Sequence, residues 1–432
     1  MSGGGTSLPD AWGSSQLGDL AEIVGGSQPK VKEAAHWSGA IPFIAISDLG
    51  RMEKVEVSGG TRTLSEQGVE ACGARLVSTG AVLMASIGAT VGKVAIAGRP
   101  LVISPNMMAF EPGSSIESRF LYWWFRANTE FVRSMTDGSA QPFISRSTAK
   151  GIRVPVPPIE EQRRIVQAME QLFADIEEGE ESLSRSIEAI DAFRASVLRA
   201  ALRGELPSLS EDLARQLREA QLSPLSEHAA IRYGWTASAS DEPVGPRMLR
   251  ITDIQGGNVD WDRVPYCEIP DNRKADFLLD AGHIVFARTG ATTGKSYLIP
   301  EEIPESVFAS YLIRVSASED LDPEFLYLFF QSADYWAHIQ RSSRGIGQPN
   351  VNAKLLGQLE VPVPPIEAQT AAVAIAEKAL ASARASEDAL MAIGAGAEAL
   401  RTRVLSAAFL GKLAPSAEET SPNASPDHNP RS

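Results

Sequence analysis

The sequence predicts an α+β protein in which two globular domains are joined by two long antiparallel coiled-coil helices, giving a pseudo-two-fold internal repeat. Three observations predict it. Most of the chain is duplicated in order, each copy contains a long proline-free heptad stretch, and each such stretch is preceded by short apolar runs and Gly-rich turns.

The duplication is read directly. Val154-Pro155-Val156-Pro157-Pro158-Ile159-Glu160-Glu161-Gln162 recurs 207 residues later as Val361-Pro362-Val363-Pro364-Pro365-Ile366-Glu367-Ala368-Gln369, with eight of nine positions identical. Upstream, Gly80 to Lys93 matches Gly282 to Lys295, displaced by 202. Phe120-Leu121-Tyr122 answers Phe325-Leu326-Tyr327, and Gln141-Pro142 answers Gln348-Pro349. Downstream, Gly204-Glu205-Leu206 answers Gly411-Lys412-Leu413.

From these repeats the expected organisation is a first globular domain over 1–153, a central spacer helix and linker over 154–222, a second globular domain over 223–360, a C-terminal spacer helix over 361–413 and a disordered tail over 414–432. Each globular part mixes alternating runs, such as Val82–Ser86 and Ile284–Arg288, with a short aromatic helix over Arg119–Ala127 or Pro323–Gln331. Their aromatics, Tyr122 to Phe125 and Tyr327, Phe329 and Phe330, fall at helical spacing and are expected in the core. Each spacer helix opens on Pro-Pro, where a missing N–H is harmless, followed by acids that suit the positive helix end. The first is expected from Ile159 to Arg203 before a C′ glycine at Gly204, the second from Ile366 to Leu410 before Gly411. A 3-4 seam runs Gln162, Val166, Met169, Phe173, Ile176, Glu180, Leu183, Ile187, Ile190, Arg194, Val197, Ala201, with nine of twelve apolar. The second seam, displaced by 207, is rich in Ala and Gly and has its polar interruptions at the same places. A bulky seam and a small-residue seam complement each other, so the two are expected to pack antiparallel.

Composition limits the function classes. With 432 residues, 44% hydrophobic and 22% charged, the chain is expected to hold two or more cores. It has no run of about 18 apolar residues and no secretory signature at its start, so no membrane association and a cytoplasmic location are expected. Cys72 and Cys267 stand alone and are expected to be buried thiols, without a disulfide or a metal site. A net charge of −14 argues against a general nucleic-acid coat, and no segment is basic. DNA binding by such a chain must rest on local clusters and on partners that supply further phosphate neutralisation, so binding by the chain alone is expected to be weak.

The duplicated order of the motifs resembles the type I restriction enzyme specificity subunits, the HsdS family, over almost the whole chain. Pro155–Gln162 and Pro362–Gln369 are similar to the family's P-x-P-P-x-x-E-Q motif at the start of its spacer helices, although Ala368 replaces the usual second acid. Leu17-Gly18-Asp19-Leu20 and the Gly88-Ala89-Thr90-Val91-Gly92-Lys93 hairpin also resemble family patterns, whereas Leu225-Ser226-Glu227 departs from the Leu-Gly-Asp form. The resemblance implies two target-recognition domains, each reading one half of a bipartite gapped sequence in double-stranded DNA. It implies two modification subunits that methylate adenine N6 and carry the S-adenosylmethionine, and a translocase and nuclease subunit for restriction. The chain itself is then non-catalytic and has no cofactor.

The residues agree with that division. No [DNS]-P-P-[YF] loop is present, the Pro-Pro pairs being followed by Ile159 and Ile366, and none of the ten lysines has an acid two residues before it, as a PD-(D/E)xK nuclease needs. Gly290 to Ser296 resembles a Walker A loop but is one residue short, with Thr289 where glycine is required. A nucleotide- or protein-binding scaffold is the alternative reading. The five histidines have no acid–base partner at useful spacing and receive no functional assignment. Candidate DNA contacts are the cations of the repeated hairpin, Lys93, Arg288 and Lys295, and the polar loops ahead of the Pro-Pro motifs: Gln141, Arg146 and Lys150 in the first half, Arg341, Arg344, Gln348 and Asn350 in the second. Arg and Lys pair with guanine, Asn and Gln with adenine. The equivalence of Gln141 and Gln348 leaves two readings open, a base contact or a structural or backbone role common to both domains.

Overall fold

The computed structural model describes residues 9, 12–49, 55–137, 142–288, 293–342 and 351–413, with main chain only for 341 and 342. They fall into two compact units, Met1–Ser182 with Ile393–Ser432, and Leu183–Ala392. The tail expected over 414–432 lies outside the described residues.

In the first unit a five-stranded sheet has the order Ala21–Gly25, Met107–Pro112, Val82–Ala85, Val94–Ala97, Glu56–Val57. In the second a four-stranded sheet runs Ala229–Tyr233, Leu312–Ala317, Ile284–Ala287, Ser296–Leu298. The registers correspond. Gly25 faces Met108 and Met84 faces Met108 in one, while Tyr233 faces Ile313 and Phe286 faces Ile313 in the other. The alternation expected over Val82–Ser86 and Ile284–Arg288 is corrected, since all four residues of Val82–Ala85 and of Ile284–Ala287 are buried. Val82 and Met84 pack with the aromatic helix Ser118–Ala127, whereas Leu83 and Ala85 pack with Val24, Ile44 and Leu101. A strand covered on both faces has no polar side to show. The aromatics lie in the core as expected, with Tyr122 and Phe125 fully buried in one unit and Phe325 and Phe330 in the other, and Tyr327 half-buried beside them.

Each sheet domain is closed by a strand pair that brings its beginning to its end. Gly13–Gln16 pairs with Arg153–Val156, and Leu222–Pro224 pairs with Glu360–Pro362. The residue after each opening strand bonds equivalently: Leu17 donates to the Ile152 carbonyl and Leu225 to that of Leu359, both at 2.8 Å. The departure at Leu225-Ser226-Glu227 has a packing reason. Gly18 lies against the Lys150 stem, while Ser226 lies against Gly357, so the small residue has changed sides of the contact. The missing acid at Ala368 has one too. Its counterpart Glu161 accepts the Trp12 indole N–H at 3.0 Å, whereas Ala368 is fully buried.

The first long helix spans Ile159–Leu202 and ends as expected, with Gly204 at φ +64 and Glu205 donating back to Ala200 at 2.8 Å. The second is corrected. It comprises Ile366–Gly394 and Ala397–Phe409, interrupted at Ala395 and Gly396 before its expected end at Gly411. Where the first copy has Ile187-Glu188-Ala189, this copy has Gly394-Ala395-Gly396, and each glycine costs about 1 kcal/mol of helix stability.

In each unit two of these helices pack antiparallel. In the first, Val166 and Met169 share a core with Val404 and Ala408, and farther along Glu180 accepts two hydrogen bonds from Arg401 at 2.7 and 2.6 Å. In the second, Val197 and Ala201 share a core with Ala376 and Leu380, and Arg194 contacts Glu387 at 2.5 Å. The polar interruptions of the two seams are therefore each other's partners. Gln162 and Gln369 are the exception. They stand on the predicted seam but do not pair with the other helix. Gln162 is fully buried, accepts the Glu117 N–H at 2.9 Å and donates to the carbonyls of Ser115 at 3.0 Å and Pro157 at 2.8 Å. Gln369 makes the same three bonds to Asp322, Asp320 and Pro364. Each glutamine clasps the start of the aromatic helix to the start of the spacer helix.

Cys267 is buried, which pushes its thiol up, but Cys72 is only half-buried. Among the described residues, no helix is long and apolar enough to cross a membrane and no cluster could hold a metal ion.

Candidate nucleic-acid interface

The repeated hairpin and the loop ahead of the Pro-Pro motif, separate in sequence, lie side by side in each unit. In the first, Gly88 donates to the Pro142 carbonyl at 2.7 Å and Ile144 to that of Ser86 at 3.0 Å. In the second, Val351 donates to the Arg288 carbonyl at 2.9 Å, the counterpart of the Ile144 bond. The same bond closes the base of each hairpin: Ala85 and Ala287 donate to the carbonyls of Lys93 and Lys295, both at 2.9 Å. Both lysines are exposed, and each is followed directly by a strand, Val94–Ala97 or Ser296–Leu298. A P-loop needs a helix there, so the Walker-like reading of Gly290 to Ser296 fails on topology as well as on spacing.

The support beneath the hairpins differs. Arg133 donates to the carbonyls of Val91 at 3.1 Å and Ala89 at 3.4 Å under the first. Under the second, the buried Tyr335 hydroxyl donates to the Gly294 carbonyl at 2.7 Å. Burial pushes this phenol far up, so it remains a donor. Gly294 has φ +94 and no room for a Cβ, which would come within 2.8 Å of the Trp336 ring. Tyr335→Phe leaves that carbonyl unpaired and is expected to cost about 1–2 kcal/mol. Thermal unfolding and faster amide exchange at Gly294 and Lys295 would register it; an unchanged hairpin would show that Trp336 alone suffices.

Ser145 and Asn352 cap the short helices Arg146–Lys150 and Ala353–Gly357, which spends both on structure. Arg146 is exposed, and its guanidinium lies over Gly25, where a Cβ would be 3.2 Å from Nη1. Lys150 is exposed with its stem against Gly18. Arg288 is half-buried, 4.9 Å over the Tyr233 ring, whose hydroxyl accepts the Ala353 N–H at 2.9 Å. Gln141, Arg344, Gln348 and Asn350 lie outside the described residues, as does the side chain of Arg341. Sequence reasoning did not single out two tyrosines beside Arg288: Tyr233, and Tyr311, which is 64% exposed and whose main-chain carbonyl accepts the Arg288 backbone N–H. No sequence pattern distinguishes an exposed tyrosine from a core one at a strand end or in the turn before a strand.

Three histidines have acid partners in the fold, which corrects the expectation that none would: His36 lies 3.2 Å from Glu33 and His283 3.9 Å from Asp280, each three residues back, and the third is His228. His228 lacks a sequence partner but in the fold bridges Asp320 at 2.6 Å and Ser223 at 2.8 Å. The order Ser–His–Asp imitates a hydrolytic triad, yet the Ser223 hydroxyl donates to Glu227 at 3.0 Å and so is not offered to the imidazole. It is a clasp at the base of the second domain.

The family model for the type I restriction modification DNA specificity domain matches residues 9–184 and 252–385. The specificity subunit of type I restriction enzyme MjaIX from Methanocaldococcus jannaschii is 32% identical over 185 residues, 42% of this chain and 42% of that protein. The MjaVIII specificity subunit from the same organism is 20% identical over 387 residues, 85% of each. A chain from a structure described as the basis of complex assembly and conformational transition of the type I R-M system aligns with a TM-score of 0.73 at 17% identity, covering 94% of this chain and 99% of the other. The chain thus spans less than half of the first relative but nearly all of the second's length and of the solved fold. With the domain matched twice over most of its length, the chain belongs to the type I restriction-modification DNA specificity family, as a specificity subunit with two target-recognition domains.

Proposed function

We propose that each of the two domains, over 1–153 and 223–360, reads one half of a bipartite gapped target in double-stranded DNA. The helices over 154–222 and 361–413 fix the gap and dock two adenine-N6 methyltransferase subunits, with translocase and nuclease subunits joining for restriction in the cytoplasm. The observation that carries this reading is the repeated surface: in both units the lysine hairpin and the polar loop are held together by an equivalent backbone bond. Lys93 and Lys295 hold the same place in domains that differ elsewhere, which suits contact with the phosphate backbone rather than with bases. Arg288 follows Ala287, which bonds to the Lys295 carbonyl, and Arg146 and Lys150 begin and end the short helix after the first polar loop. Gln141, Arg341, Arg344, Gln348 and Asn350 remain candidates for the same surface. The scaffold reading loses its nucleotide site with the hairpin topology.

The test is to express the chain with the modification subunits of its own host in cells lacking adenine methylation and to map modified adenines. A two-part motif methylated on opposite strands across a fixed gap, altered in one half when one domain is exchanged, is expected. Association without any such motif, and without DNA binding by the complex, would put the scaffold reading in front.

A further inference from the structure

Three positions meet at one corner of each domain: the end of the first sheet strand, the residue after the hairpin's first strand and the first residue of the short capped helix. In the first unit they are Gly25, Ser86 and Arg146, and in the second Tyr233, Arg288 and Ala353. The correspondence follows from the registers, because Gly25 and Tyr233 end strands paired to Met108 and Ile313, which in turn face Met84 and Phe286, two residues before Ser86 and Arg288. The corner is closed by the same bond in both, from Ile144 to Ser86 and from Val351 to Arg288. Each corner holds one arginine, but from a different position. In the first it comes from the helix and lies against a glycine; in the second it comes from the residue after the strand and lies over a tyrosine ring, whose hydroxyl takes the helix N–H.

We infer that Arg146 and Arg288 are the same functional group reached by two routes, a cation that grips a DNA backbone phosphate at this corner of each domain. The inference rests on the DNA-binding reading above. A repeated place filled by non-equivalent residues indicates a demand made by the ligand rather than by the fold, and what two different half-sites share is the phosphate backbone. Their surroundings agree. In a chain of net charge −14, Arg75, Arg119, Arg133, Arg232, Arg250 and Arg273 sit in ion pairs with carboxylates. Arg62, Arg247 and Arg314, like Arg146 and Arg288, have none among the described residues, so it is the repeated corner and not the missing acid that sets Arg146 and Arg288 apart. Neither Arg146 nor Arg288 has a carboxylate within ion-pair distance among the described residues; the bond from Arg288 to the Ser310 carbonyl is long, at 3.5 Å. Stacking orients the Arg288 guanidinium without neutralising it.

The test measures DNA affinity of the complex with its modification subunits against salt, together with the methylated motif. Arg146→Ala and Arg288→Ala are each expected to reduce the slope of log K against log salt by about 0.9 and affinity at roughly 0.1 M salt by about tenfold, with the motif unchanged. Arg288→Lys should retain most of the slope. The transplant Tyr233→Gly, Arg288→Ser, Ala353→Arg, which rebuilds the first corner in the second domain, should recover it. An unchanged slope in either alanine variant, or a motif relaxed at one base pair, would overturn the phosphate assignment, the second outcome making the arginine a base reader. Absence of salt-dependent DNA binding by the unaltered complex would instead refute the underlying reading.

Discussion

Gln162→Leu is expected to destabilise the first unit by about 3 kcal/mol or more, and Gln369→Leu the second by a similar amount, because each change strands one N–H and two carbonyls at about 1–3 kcal/mol apiece when desolvated. Leucine matches the shape of the amide and is apolar, so the loss isolates hydrogen bonding from packing. Gln162→Glu should be no better. The site needs two donors for the carbonyls of Ser115 and Pro157, and a carboxylate supplies none. Thermal unfolding with amide exchange assigned to each unit measures both, and a Gln162→Leu protein as stable as the parent would show that the clasp is incidental. The defect should also reach function, since the clasp joins the aromatic helix of the target-recognition domain to the spacer helix.

Arg401→Glu is expected to cost about 2–3 kcal/mol, more than Arg401→Ala at about 1, because it sets two carboxylates against each other in a half-buried seam. Partial exposure keeps the alanine figure small: the side chain of Arg401 is 25% exposed and that of Glu180 39%. The exchange Glu180→Arg with Arg401→Glu should restore most of the loss. Failure to restore would mean that the pair contributes little to helix register. The pair also carries a pH signature. Hydrogen bonds from Arg401 hold the Glu180 carboxyl below its ordinary value of 4.5, so its folded pKa lies under its unfolded one. The stabilisation is complete above about pH 4.5 and is lost as pH falls through the lowered folded value. Arg401→Met should flatten that part of the acid limb while leaving stability at neutral pH about 1 kcal/mol lower.

Spacing and side-chain type were enough to establish the repeat, the α+β class, the aromatic cores, both helix-ending glycines and the partnership of the two seams, because these signals survive any packing. The same signals placed the hairpin lysines and the arginines without relating them. They misjudged the break at Gly394 to Gly396, where two glycines outweighed an otherwise helical pattern. They also read Val82–Ser86 and Ile284–Arg288 as alternating runs, because only a second apolar layer tells a covered face from an open one. Relations across long stretches of chain came from the folded molecule alone: Gln162 turned from seam residue to clasp, His228 given two partners, Ser226 set against Gly357, and Arg146 and Arg288 brought to matching corners. Such relations depend on which distant backbones a fold brings within hydrogen-bonding reach. Local periodicity reports only the face a residue occupies on its own helix or strand.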